Sequence, residues 1–90
     1  MMIGIKNKDN RQWRNNLYAK LSKIGFKQKP SILCTDGYIV ISPEKEFYNV
    51  AKHKFDAFMF DGILMHEARN EVEFIEKAKE IFLTTNLLPS

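Results

Sequence analysis

Nucleophilic, acid–base or metal chemistry in this chain would have to come from one cysteine, two histidines and a few acids. Cys34 stands just before an Asp36-Gly37 pair, with no nearby cation or base to stabilise a thiolate. It is expected as a core-facing structural cysteine. His53 and His66 lie too far apart for any of the usual metal-ligand spacings. His66-Glu67 begins like the helical motif of a zinc protease, but position 70 is Asn, so a second histidine ligand is missing. Asp36, Asp61 and Glu67 could be grouped as paired carboxylates. Two of them, however, precede glycine in Asp-Gly pairs, where turn formation explains them. Gly4, Gly25, Gly37 and Gly62 are isolated, so no phosphate-cradling loop is present. The expectation is a protein with no catalytic residues, no metal and no cofactor.

Binding chemistry is better represented. Residues 1–30 carry eight basic side chains against Asp9 alone, whereas residues 61–90 carry six acids against three bases. A net charge of +3 therefore hides a dipolar chain that steers acidic partners toward one end. Arg11, Arg14, Asn15, Lys20, Lys23 and Lys27 are of the types that hold phosphates or reach base edges, and they fall on or just after one helix. The competing reading of that surface is a solvated lysine-rich face.

The elements that must position these residues follow from periodicity. Residues 9–25 read as an amphipathic helix: Asp9 as cap, Gln12 closing a capping box, Trp13, Leu17, Leu21 and Ile24 on one stripe, and Gly25 as C-cap. Residues 31–42 read as a β-hairpin turning at Asp36-Gly37, with Ile32, Cys34, Ile39 and Ile41 toward the core. Ser42-Pro43-Glu44 reads as a helix start. That helix ends either near residue 53 or near residue 59. The shorter form is preferred because Asp61-Gly62 then makes a second hairpin between 55–60 and 63–67. Residues 70–84 read as the last helix, capped by Asn70 with Glu73 at the box position, burying Phe74, Ile75, Ala78, Ile81 and Phe82. Residues 1–8 and 85–90 are expected as loose termini of a single domain spanning 1–90. The order helix, strands, helix resembles that of a double-stranded-RNA-binding domain. Asn70 to Glu73 is acidic where such domains carry lysines, so the likeness is one of order alone.

These readings give an α+β fold: helix, hairpin, short helix, hairpin, helix, with a four-stranded antiparallel sheet and both long helices on one face. The second hairpin is apolar on both sides. Phe58, Phe60, Ile63 and Met65 lie on one side, and Phe55, Met59, Leu64 and Ala68 on the other. Two helices cover one face of such a sheet, so the other needs the middle helix, a second copy or a partner. The longest apolar runs are four residues, too short for a membrane helix, and a lone cysteine suits a reducing, cytoplasmic setting. The function expected is a non-catalytic protein-binding module, a regulator or inhibitor docking on a larger protein through Tyr38, Phe58, Phe60 and Met65. A homodimer is compatible with it, and nucleic-acid binding through helix 9–25 is the alternative. Eleven Lys, nine Ile and seven Asn are the composition of an AT-rich genome and suit an accessory protein of bacteriophage type.

Overall fold

The computed structural model describes residues 1–87. Strand β1 (Met2–Lys6) leads to helix α1 (Arg11–Ile24) and a short strand β2 (Lys27–Gln28). Strands β3 (Tyr38–Ile41) and β4 (Glu46–Val50) follow, then the single-turn helix α2 (Lys52–Phe55). Strands β5 (Met59–Phe60) and β6 (Ile63–Glu67) precede helix α3 (Glu71–Leu87). Among the described residues this is a compact α+β domain of three helices and a six-stranded mixed sheet, ordered β2-β4-β3-β1-β6-β5. The expected four-stranded antiparallel sheet is therefore overturned: β1 pairs parallel with β6, and β2 pairs parallel with β4.

Three local corrections produce that difference. The expected loose N-terminus is the strand β1, hydrogen-bonded between β3 and β6, with Met2, Ile3, Gly4 and Ile5 all buried. Its short apolar run, without alternation, is the pattern of a strand covered on both faces. The expected 31–42 hairpin exists only in its second half. β3 already uses both edges, one for β1 and one for β4, so residues 32–35 have no strand to join. Ile32 is left 84 % exposed in the loop, and Cys34 is half-buried there rather than in the core. Gly37 is needed because a side chain would overlap the Val50 carbonyl oxygen, not because it turns a hairpin.

The third correction concerns Ser42-Pro43-Glu44, which turns β3 into β4 instead of starting a helix. The Lys45 N–H donates to the Ser42 carbonyl at 3.0 Å, and Lys45 sits at φ 64°. A proline-led type I turn closed by a left-handed residue begins with the same backbone angles as a helix, so the local chemistry fits both. Once β4 is formed, the helix expected there shrinks to the four residues of α2.

The two long helices match their patterns closely. Asn10 rather than Asp9 caps α1, accepting from the Trp13 N–H at 3.0 Å, and the Gly25 N–H closes its end on the Leu21 carbonyl. Asn70 accepts from the Glu73 N–H at 2.9 Å at the start of α3. That helix runs to Leu87, past the point where a loose tail was expected; residues 88–90 lie outside the described residues.

The sheet separates two cores. Toward α1 and α3 face Ile3, Ile5, Ile39, Ile41 and Phe47, packed on Leu17, Leu21, Phe74 and Ala78. The opposite face buries Met2, Tyr38, Val40, Val50, Phe55 and Met65. Its cover is α2: the Phe55 ring stacks on Tyr38 with centroids 4.2 Å apart and lies over Gly4, where any side chain would overlap it. The second apolar face is thus closed largely from within the chain.

Candidate functional site

The β5–β6 hairpin is where apolar surface remains. It turns through Asp61 and Gly62 at φ 51° and 77°, the two positive angles of a type I′ turn. Its pairing, Met59 with Leu64 and Phe60 with Ile63, fixes the faces. Phe60, Ile63 and Met65 turn toward Tyr48 and the second core. Met59 and Leu64 turn the other way, and both are exposed.

Phe58 enters this hairpin at φ 75°. A left-handed conformation there reverses the chain from α2 into β5. The Phe58 carbonyl accepts from the Met65 N–H at 3.0 Å, and its own N–H donates to the Phe55 carbonyl at 3.4 Å. Glycine or asparagine is the ordinary occupant of such a position, and a bulky residue is a true outlier. The side chain nonetheless stands 73 % exposed. Neither backbone preference nor packing of the isolated chain accounts for a phenylalanine here. Together Phe58, Met59 and Leu64 make an apolar patch of the residue types enriched at protein interfaces.

The structure divides the other residues expected to bind a protein. Phe60 is half-buried against Tyr48, ring centroids 6.4 Å apart. Tyr38 is buried, and its hydroxyl donates to Glu67 Oε1 at 3.0 Å. Burial first, and that hydrogen bond second, push its ionisation up to about 12. Met65 is buried beside it in the second core. Tyr38 and Met65 are therefore structural, and only Phe58 of the expected four stands free. Met59 and Leu64 lie together on one side of the hairpin as expected, but they were not among the residues expected to dock; their cross-strand pairing about Asp61-Gly62 was the signal that could have added them.

The expected nucleic-acid residues divide as well. Arg14 is only 8 % exposed, and its Nη1 donates to the Lys8 carbonyl at 3.0 Å, tying the β1–α1 connection to the helix. Arg11, Asn15, Lys20, Lys23 and Lys27 are exposed. Lys8 lies over the Trp13 ring at 4.8 Å, and Lys29 over the Tyr48 ring at 5.2 Å.

Residues considered for chemistry are dispersed. The Cys34 thiol donates to the Ile32 carbonyl at 3.6 Å. His53 is exposed on α2, while His66 Nε2 lies 3.9 Å from Glu73. Glu73 in turn is held by the Arg69 side chain at 2.8 Å and the Arg69 backbone N–H, which keep its carboxyl below the usual range. Asp36 and Asp61 occupy separate turns. Among the described residues no group of three or more His, Cys, Asp and Glu is placed to hold a metal ion. A crevice of about 400 Å³ opens at the carboxyl ends of β1 and β6, lined by Lys6, Lys8, Trp13, Glu67 and Arg69. Two carboxylates line it, Glu67 engaged by the Tyr38 hydroxyl and Glu71 by the Trp13 indole. No helix among the described residues is long and apolar enough to cross a membrane.

Compared with family models, curated proteins and solved structures, the chain matches none.

Proposed function

We propose that this protein is a non-catalytic binding module, a regulator or inhibitor that docks on a larger protein through the β5–β6 hairpin. Phe58 carries the reading: an aromatic side chain kept in a left-handed backbone conformation and turned outward. Burial of such a ring in a partner's pocket, with Met59 and Leu64 excluding water around it, is how a few residues supply most of the affinity of an interface. Association with the exposed basic residues of α1 would instead make nucleic acid the partner, and that binding would weaken steeply with salt.

Affinity capture from nuclease-treated lysate with wild type and Phe58→Gly separates the two. A stoichiometric protein retained by wild type and lost by Phe58→Gly is the expected result. Material that disappears on nuclease treatment, or a partner held equally by both proteins, removes the hairpin from the argument.

A further inference from the structure

The segment from Ala51 to Gly62 carries two incompatible patterns. Ala51, Phe55, Phe58 and Met59 recur at intervals of four, three and one, which makes one face of a helix. Asp61-Gly62 and its flanks make a hairpin. The structure keeps the hairpin and cuts the helix short at Lys52–Phe55. Asp56 still has helical angles, φ −67° and ψ −11°, and its N–H donates to the Lys52 carbonyl at 2.9 Å. The helical course is broken at Phe58, where φ swings to 75°.

Neither side of that break is well supported. α2 has no side-chain cap and no acid in its first turn, and Lys52 and Lys54 crowd the end of a helix that favours negative charge. Phe55 is its one buried residue. β5 is two residues long and lies at the sheet margin, paired with β6 alone. β6 is anchored separately by its parallel pairing with β1.

We propose that residues 51–62 form a two-state switch, in which the hairpin exchanges with a minor state where α2 continues through Phe60. Extension returns Phe58, and Asp61 at φ 51°, to right-handed backbone and gives residues 58–60 helical hydrogen bonds. It gives up the β5–β6 ladder, the Met65 N–H bond to the Phe58 carbonyl and the ring contact of Phe60 with Tyr48. Gly62, at φ 77°, serves both states: it is the second turn residue of the hairpin and the left-handed residue that ends the longer helix. β6 stays on β1 throughout, so the sheet is unchanged. In the extended helix Phe58 and Met59 move to the side that Phe55 occupies, and the exposed patch is withdrawn. The regulatory consequence rests on the docking reading, since a partner that grips Phe58 selects the hairpin. The exchange itself is a property of the free chain.

Nuclear magnetic relaxation dispersion and amide exchange on the free, full-length protein test it. Wild type is expected to show millisecond exchange confined to residues 52–65, with helical carbon shifts for residues 56–60 in the minor state. Phe58→Ala favours the helix, because alanine gains nothing in left-handed backbone and is the best helix former. Phe58→Gly favours the hairpin on both counts. The helical population should be at least about tenfold higher in the alanine variant than in the glycine variant. Ala57→Gly keeps the Phe58 ring and should lower that population about fivefold from wild type. The Met65 amide loses its acceptor in the minor state; relative to the β3 amides it should exchange about tenfold faster in Phe58→Ala than in Phe58→Gly. Absence of exchange in both wild type and Phe58→Ala, a minor state with random-coil shifts, or equal populations in the alanine and glycine variants would overturn the switch. A protein that exchanges as expected but captures no partner through Phe58 upholds the switch and refutes the docking reading.

Discussion

Phe58 offers a perturbation whose effects on stability and on binding have separable signs. At φ 75° a residue with a Cβ costs roughly 1–2 kcal/mol relative to glycine. The greater freedom of glycine in the unfolded chain offsets about 0.5–1 kcal/mol of that relief. The ring itself contributes little to the fold: with 73 % of the residue exposed, truncation forfeits only about 0.5 kcal/mol of burial. Phe58→Gly should therefore come out near wild type in stability. Phe58→Ala, which keeps the strain and loses the contact, should be less stable than Phe58→Gly by about 0.5–1 kcal/mol. At about 4–8 °C per kcal/mol for a domain of this size, thermal melting resolves that gap. At a residue of ordinary negative φ the order would be reversed, alanine above glycine. If the alanine variant melts at or above the glycine variant, Phe58 does not hold the left-handed conformation in solution, and the argument for an outward-aimed anchor fails. If the order is as expected, both variants should still lose the partner, by about thirtyfold for an anchor worth 2 kcal/mol. Loss of binding without loss of stability is the signature of a residue kept for its surface.

Three further outcomes follow from buried contacts. Gly4→Ala drives a methyl into the Phe55 ring and should cost about 1–3 kcal/mol, read as a lowered denaturation midpoint. Arg14→Ala should cost about 1–3 kcal/mol because it strips the Lys8 carbonyl of its donor, whereas Lys20→Ala, at an exposed position of the same helix, should change chemical denaturation by less than about 0.5 kcal/mol. Tyr38 ionises near 12 in the folded protein and near 10 unfolded, so the stabilisation of its neutral form is complete below pH 10 and is lost as pH rises to 12. Urea denaturation between roughly pH 9 and pH 12 should show a steeper decline for wild type than for Tyr38→Phe; equal slopes would mean that the hydroxyl is not held by burial and Glu67.

Periodicity made α1 and α3 legible because their apolar stripes meet one core and their outer faces meet water. Leu17, Leu21, Phe74 and Ala78 all lie where the 3.6-residue repeat places them. The Asp61-Gly62 hairpin was legible because a type I′ turn is decided by two adjacent residues. What failed was everything decided by strand partners distant in sequence. Residues 32–35 and β4 are both acceptable strands locally, and only the pairing of β3 with β1 determines which of them it joins. Phe47 and Val50 suggested a helix by their spacing, yet they face opposite cores from opposite sides of β4. Two of the four expected docking residues are buried for a related reason. Tyr38 and Met65 are apolar enough for an interface, but α2 folds back so that Phe55 consumes that face.

The basic first third, prominent in the sequence, divides into separate tasks once it is folded. Arg14 fastens the β1–α1 connection, and Lys8 covers the Trp13 ring. Lys27 and Lys29 lie exposed at the β2 margin of the sheet, followed by Pro30. Lysine and proline at an edge discourage pairing with another chain, since an incoming strand would have to desolvate the charge and would find one donor missing. The opposite margin, β5, carries Met59 and Phe60 with no charge between them. The two margins are thus treated differently: one is guarded, and the other, limited to two residues, keeps its apolar side chains beside Phe58 and Leu64. Arg11, Lys20 and Lys23 are exposed on α1, and Lys20 and Lys23 line the groove between α1 and α3. A stripe of phosphate contacts would need a run of uncommitted cations along one helix. Here the exposed cations are Arg11, Lys20 and Lys23 on α1 and Lys27 and Lys29 at the sheet edge, while Arg14 is tied to the β1–α1 connection.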